Sequence, residues 1–317
     1  MRLVTFEFQG RTRLGAEHDG HVLDLNRGYV LLLATRGVAD FQAQANRELP
    51  ADMRDFLDLW DESLPRVKEV LALFRGLRGT GGPLAQAVIH PLQAVRLRAP
   101  ILNPRKIICL GLNYRDHAQE TRLEIPSDPI LFSKYPSAII GPEDPILLPS
   151  VSQEVDYEAE LTFLIARRGR HIPRAQALDY VAGYTIMNDV SARDYQMRKP
   201  GGQWMSGKTF DSFAPLGPAL VTREDIPDPH VLDISCTVSG DRLQSSNTKH
   251  LIFPVPDIVA YCSHIFTLEP GDVIATGTPG GVGFARKPPR FLKDGDVVVI
   301  EIQGIGALRN PVRRDTR

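Results

Sequence analysis

Along the first hundred residues the apolar positions change their period. Arg2–Gln9 alternates apolar and polar side chains, as a strand with one buried face does, and His21–Asn26 (HVLDLN) reads as a second strand. Ala51–Phe74 then carries a helical period in two pieces. The division is expected near Pro65, because proline lacks the N–H that a helix interior uses. Phe56, Leu59 and Trp60 share a face in the first piece; Val67, Val70, Leu71 and Phe74 share one in the second. Gly76–Pro83 is rich in glycine and ends the pattern, and Leu97–Pro104 (LRAPILNP) holds two prolines, as a linker would. Residues 1–100 therefore read as a small α+β domain with no evident chemistry of its own.

From Lys106 the texture changes to short apolar runs punctuated by Gly and Pro: Lys106–Leu112, Leu161–Ala166, Val181–Asn188, Val231–Val238, Asp272–Thr276 and Asp296–Ile302. Such spacing predicts a mostly β domain. Ala175–Val181 and Val255–Phe266 are its expected helices. The fold class is thus α+β, mostly β, with no internal repeat.

Composition narrows the partners. A chain of 317 residues can form one large domain or two smaller ones, and 43% hydrophobic with 24% charged residues is an ordinary globular mix. The net charge of −1 leaves no electrostatic footprint for nucleic acid or an anionic membrane, and neither is expected as a partner. No apolar run approaches the ~18 residues of a membrane span, and no secretory signal is visible at the start. Cys109, Cys236 and Cys262 are far apart and odd in number, which argues against a disulfide framework and suggests a reducing cytoplasm.

Candidate chemistry begins in EVDYEAELTFLI, residues 154–165. On a strand Glu158, Glu160 and Thr162 share one face, while Ala159, Leu161, Phe163 and Ile165 point into a core. The bland reading is a solvated acidic face. Asp189, however, follows the apolar run Val181–Met187, where an acid would stand at the mouth of a buried strand. Two glutamates and one aspartate can make an all-oxygen site, suited to Mg²⁺, with Mn²⁺ or Ca²⁺ as alternatives, and leaving positions open for substrate. In IICLGLNYRDHAQE, His117 and Glu120 are three apart and become neighbours on a helical turn, so the carboxylate could orient the imidazole as a general base. An exposed helical pair is the competing reading.

Gly202-x-x-x-x-Gly207-Lys208-Thr209 matches the phosphate-loop pattern literally. A phosphate loop follows a buried strand and opens a helix. Here ARDYQMRKPGG precedes it and FDSFAPLGPAL follows, with Pro215 and Pro218 where the helix should run. The nucleotide reading therefore fails. Lys208 is left as either a surface lysine or a charge-balancing group beside the acids.

Six motifs then occur in order: GLNYRDHAQE (111–120), FSKYPS (132–137), DYEAEL (156–161), NDVSARD (188–194), GKTFDSF (207–213) and GTPGGVG (277–283). Together they resemble the fumarylacetoacetate hydrolase family across about residues 104–312. NDVSARDYQ, GKTFDSFAPLGPALVT and SSNT look most like the branch linked to oxaloacetate tautomerisation. The resemblance implies that family's β-rich α+β catalytic domain over 104–312, usually as a homodimer. It implies Glu158, Glu160 and Asp189 as metal ligands, with Mg²⁺ the usual ion. It also implies His117 and Glu120 as a base dyad, Lys208 as an active-site lysine, and Arg193, Gln196 and Thr278 as substrate-lining residues. The substrate is then a small 2-keto or 1,3-diketo acid. The first expectation is hydrolysis of a carbon–carbon bond in an acylpyruvate, with water activated by His117 and Glu120 and a metal-stabilised enolate as leaving group. The alternative is keto–enol tautomerisation or decarboxylation of oxaloacetate or a related 2-keto acid at the same metal. A non-enzymatic metal-binding protein would leave the dyad without a role.

Overall fold

The structure, a computed structural model, describes residues 1–77 and 82–316. It is α+β and rich in strands. Ten strands form one hydrogen-bonded path: β1 (Arg2–Phe8), β2 (Arg11–His18), β3 (His21–Asp24), β4 (Ile89–Pro91), β5 (Ile107–Gly111), β6 (Ile130–Lys134), β7 (Ala159–Ile165), β8 (Val181–Asn188), β9 (Ala214–Thr222) and β10 (Val273–Ala275). Their order is β4-β3-β2-β1-β9-β8-β7-β10-β5-β6. Neighbours along this path are antiparallel except β10 and β5, which run parallel with Val273 beside Ile107. A second, five-stranded sheet holds Ile146–Leu148, Asp233–Val238, Asp241–Asn247, Val297–Ile302 and Gly306–Arg314.

The strands form where the sequence alternates or is wholly apolar. In β7 and β8 every residue is buried, because the two lie centrally with cores on both faces. Leu161, Phe163 and Ile165 enter one core with Tyr184 and Ile186; Leu164 and Met187 enter another with Leu3, Leu14 and Phe56. Strands from both ends of the chain therefore share one core as well as one sheet. The expected linker is packed between them: Ala99 and Ile101 are buried, and the Thr5 hydroxyl donates to the Pro100 carbonyl at 2.6 Å.

Several elements differ from the sequence reading. The helical stretch 51–74 breaks at Leu59, between helices Met53–Asp58 and Trp60–Leu77, and Pro65 lies inside the second. Phe56 and Trp60 still meet, edge to face at 5.5 Å, across that break. Residues 174–180 form a 3-10 helix rather than an α-helix, entered from Pro173. Residues 78–81, within the expected break Gly76–Pro83, lie outside the described residues. The largest miss is β9. Its prolines exclude a helix, but they do not exclude a strand whose remaining groups pair with β1 and β8. Val255–Ile265 is a helix as expected. No helix among the described residues is long and apolar enough to cross a membrane.

Candidate metal centre and active site

The register of β7 against β8 builds the acid cluster. Ala159 pairs with Asn188, so Glu158 and Asp189 lie at adjoining ends of two central strands, and the Asp189 amide donates to the Glu158 carbonyl at 2.9 Å. Glu160 is one pleat further along the Glu158 face. One carboxylate oxygen from each of Glu158, Glu160 and Asp189 lies within 4.8 Å of the others, and all three residues are buried.

Cations surround this cluster unevenly. Lys208 donates to Glu158 Oε2 at 2.6 Å and to Asp189 Oδ2 at 2.8 Å. Arg193 NH2 lies 2.6 Å from Glu158 Oε1, its Nε donates to Asp156 at 2.9 Å, and its NH1 donates to Gln196 at 2.9 Å. Lys134 Nζ lies 2.7 Å from Asp189 Oδ1 and also donates to the carbonyls of Val190, Lys208 and Phe213. Its charge therefore sits directly against Asp189. Burial opposes ionisation of Glu158, but Lys208 and Arg193 outweigh it and hold its carboxyl at about 2. Glu160 goes the other way. Burial, then Asp189 and Glu158, push its carboxyl well above the ordinary range. Among the described residues the only hydrogen bond to its carboxyl is from the Gly277 amide to Oε2 at 2.8 Å, and Oε1 has no partner.

A buried carboxylate with an orphaned oxygen, facing two more carboxylates, fits a divalent cation. Asp156, Glu158 and Asp189 face three buried cations (Lys134, Arg193, Lys208), so the ionised form of Glu160 is the one buried carboxylate of the four without a balancing charge, and a bound cation would supply it. An all-oxygen donor set of this kind suits a hard ion.

A cavity of about 110 Å³ opens beside the acids. His117, Glu158, Arg193, Gln196, Lys208 and Thr278 line it, while Glu160 and Asp189 do not. His117 sits on the short helix Arg115–Thr121 after β5, with Nδ1 3.6 Å from Glu120 Oε2, longer than a hydrogen bond. Glu120 itself stays at the rim. Partial burial opposes its ionisation, but His117 and the Gly281 amide, at 2.9 Å from Oε2, hold its carboxyl below the ordinary range. Thr278 accepts from Gln244 at 2.8 Å, which fixes its hydroxyl, and Gln244 also accepts from the Ala159 amide at 2.9 Å. Lys208 is not a surface lysine. It is 2% exposed, at the end of a five-residue helix, Trp204–Lys208, too short for the phosphate-loop reading.

Sequence reasoning passed over several members of the site. Asp156 binds Arg193 and accepts from the Gly283 amide at 2.7 Å, tying the 277–283 loop to the acid cluster. Its signal was its place two residues before Glu158. Lys134 was legible only as part of FSKYPS. Trp204 lines the cavity from the helix that carries Lys208, and no pattern pointed to it.

Residues 106–313 match the family described as fumarylacetoacetate (FAA) hydrolase, C-terminal. A Xenopus laevis protein named oxaloacetate tautomerase, mitochondrial, is 45% identical over 98% of this chain and 90% of its own. A Homo sapiens protein of the same name is 47% identical over 83% of this chain and 80% of its own. The solved structure of a Sphingobium maleylpyruvate hydrolase, in complex with manganese(II) and pyruvate, superposes with a TM-score of 0.74 at 29% identity and full coverage of both chains. The two tautomerase names overturn the cytoplasmic expectation. Buried free thiols speak of reducing surroundings at most, and cannot separate the cytoplasm from another such compartment. The match over 106–313 and the identity along nearly the whole length establish that this chain is an enzyme of the fumarylacetoacetate hydrolase family.

Proposed function

We propose that the chain catalyses keto–enol tautomerisation of oxaloacetate or a related short 2-keto acid, with a divalent cation, Mg²⁺ first, held by Glu158, Glu160 and Asp189. The observation that carries this reading is the cavity itself, where His117 and Lys208 face a buried acid cluster in which Glu160 Oε1 has no hydrogen-bond partner among the described residues. The tautomerase names of the relatives at 45–47% identity support it over carbon–carbon hydrolysis, which the sequence had put first.

A bound divalent cation would polarise the 2-keto oxygen and stabilise negative charge there. The chain's own residues do the rest. Tautomerisation moves one proton between C3 and the oxygen on C2, and no water has to attack. Burial works against the charge on Lys208, but Asp189 and Glu158 raise its pKa above the ordinary value, so it serves as a fixed positive charge and not as the proton carrier. His117 is the remaining proton-transferring group on the cavity wall. With Nδ1 turned to Glu120, Nε2 is its working nitrogen. Gln196 gives its carbonyl to Arg193, which leaves its amide hydrogens for a substrate carboxylate. Thr278 adds a hydroxyl on the opposite segment. A homodimer belongs to this proposal too, and light scattering in solution checks it.

The test follows the disappearance of the enol absorbance of oxaloacetate, with and without EDTA, beside a panel of acylpyruvates whose products are identified. Enol loss that is EDTA-sensitive and falls at least ~10²-fold in His117→Ala is expected. Cleavage of acylpyruvates with no effect on oxaloacetate would return hydrolysis to first place.

A further inference from the structure

The cavity has an apolar side that the proton chemistry does not use. Trp204, Phe132, Phe284, Met197 and Leu123 line it, Phe284 against the Arg193 guanidinium and Phe132 beside Lys208. Among these Trp204 is held on three sides. Its ring packs on the Cα of Gly111, where a Cβ would come within 2.3 Å of Cζ3. It stands edge-on to Phe132, centroids 5.7 Å apart. Its backbone belongs to the helix Trp204–Lys208, in which residues four apart share a face, so the ring and the Lys208 ammonium are set by the same short turn. Phe132 joins them: the Lys208 Nζ lies 5.1 Å from its ring centroid. The indole is half-buried, with the cavity on one side and solvent on the other, and it is comparable in size with the cavity it closes.

We propose that Trp204 determines specificity by chain length: its ring is the end wall that admits a compact keto diacid and turns away longer ones. This rests on the functional reading above. A 2-keto acid whose head is drawn to the acid cluster and Lys208 meets Trp204 as its chain lengthens, because the short helix that carries the lysine sets the indole beside it on the cavity wall. Each extra methylene then meets an indole that Gly111 and Phe132 prevent from retreating. Gly111 belongs to the same device, because a side chain there would take the space in which the ring is seated.

The experiment measures binding as well as turnover. Calorimetric titration with oxalate, 2-oxoglutarate and 2-oxoadipate, in Mg²⁺, gives a length series for the wild type, Trp204→Phe and Trp204→Ala. Circular dichroism confirms that each protein is folded. The wild type should weaken by roughly 10-fold or more from 2-oxoglutarate to 2-oxoadipate, the scale of one methylene in a tight pocket. Trp204→Ala should shrink that ratio at least about 10-fold, and Trp204→Phe, which keeps a smaller ring, should lie between. The parallel enol-loss assay on wild-type protein tests the functional reading separately. Absent tautomerisation with an intact length series would sink that reading alone. A length ratio that stays within about 2-fold of wild type in folded Trp204→Phe and Trp204→Ala overturns the role of Trp204.

Discussion

Replacing Glu160 by Gln separates what the acid cluster does for the fold from what it does for a metal. Glu160 is 1% exposed, its Oε1 is unpartnered, and Asp189 and Glu158 face it. Glutamine keeps the shape and still accepts from the Gly277 amide, but it removes the charge. In EDTA the variant should therefore be more stable than the wild type, by about 1–3 kcal/mol, the usual range for relieving a poorly satisfied buried polar group. The pH dependence has a definite sign. A carboxyl raised in the folded state is protonated there while the unfolded chain is already ionised. Its contribution is present below the ordinary value of 4.5 and is lost as pH rises from there through the folded value. The gain from Glu160→Gln should accordingly grow as pH rises through that window. Added Mg²⁺ reverses the order. At one hundred times its Kd a ligand stabilises by about 2.7 kcal/mol, a benefit the wild type gains and the variant largely forgoes. Thermal melts with EDTA and with a Mg²⁺ series read both effects. A variant that melts lower than wild type in EDTA, or that gains as much from Mg²⁺, would refute the reasoning.

Arg193→Met should cost about 3–5 kcal/mol in urea unfolding, because Asp156 and Glu158 would lose their buried partner; a loss under about 1 kcal/mol would contradict the assigned contacts. Gly281→Ala should destabilise by about 1–3 kcal/mol and reduce turnover. Gly281 has φ +101°, a Cβ there would lie 2.2 Å from the Leu243 carbonyl oxygen, and its amide orients Glu120. Unchanged kinetics would detach Glu120 from the site. The lowered carboxyl of Glu120 gives stability that is present above the ordinary value of 4.5 and is lost as pH falls through the folded value. Wild type and Glu120→Gln should therefore converge in stability on acidification, and parallel curves would exclude the His117–Glu120 coupling.

Much of the candidate site was legible because its pattern is local. Glu158 and Glu160 alternate on one strand face, and His117 and Glu120 lie one helical turn apart, both of which follow from backbone periodicity. The meeting of Asp189 with Glu158 depends on the register of β7 against β8, which no local pattern encodes. The same holds for Lys208, whose polar, proline-flanked neighbourhood gave no sign that it would be buried. β9 was missed for a related reason. Proline reports only on its own residue, whereas the neighbours of APLGPALVT come from strands at residues 2–3 and 183–187. Trp204 shows the limit most plainly, since its partner Gly111 is remote in sequence and is recognisable only by the space it leaves empty.

The pairing of β1 with β9 also bears on the order in which the chain is made. Arg2 and Leu3 find their partners at Val221 and Leu220, at the far end of about 200 intervening residues. A ribosome adding ~5–20 residues per second needs roughly 10–40 s to cover that distance. For that interval the nascent strand has β2 on one side; on the other, Arg96 and Leu97 pair with Glu7 and Phe6, but the edge at Arg2 and Leu3 stays open, with Leu3 still lacking the core it will share with Leu216 and Leu220. The newborn chain thus carries a period of exposure to wrong partners, set by topology, that ends only when Ala214–Thr222 has emerged and closed the edge.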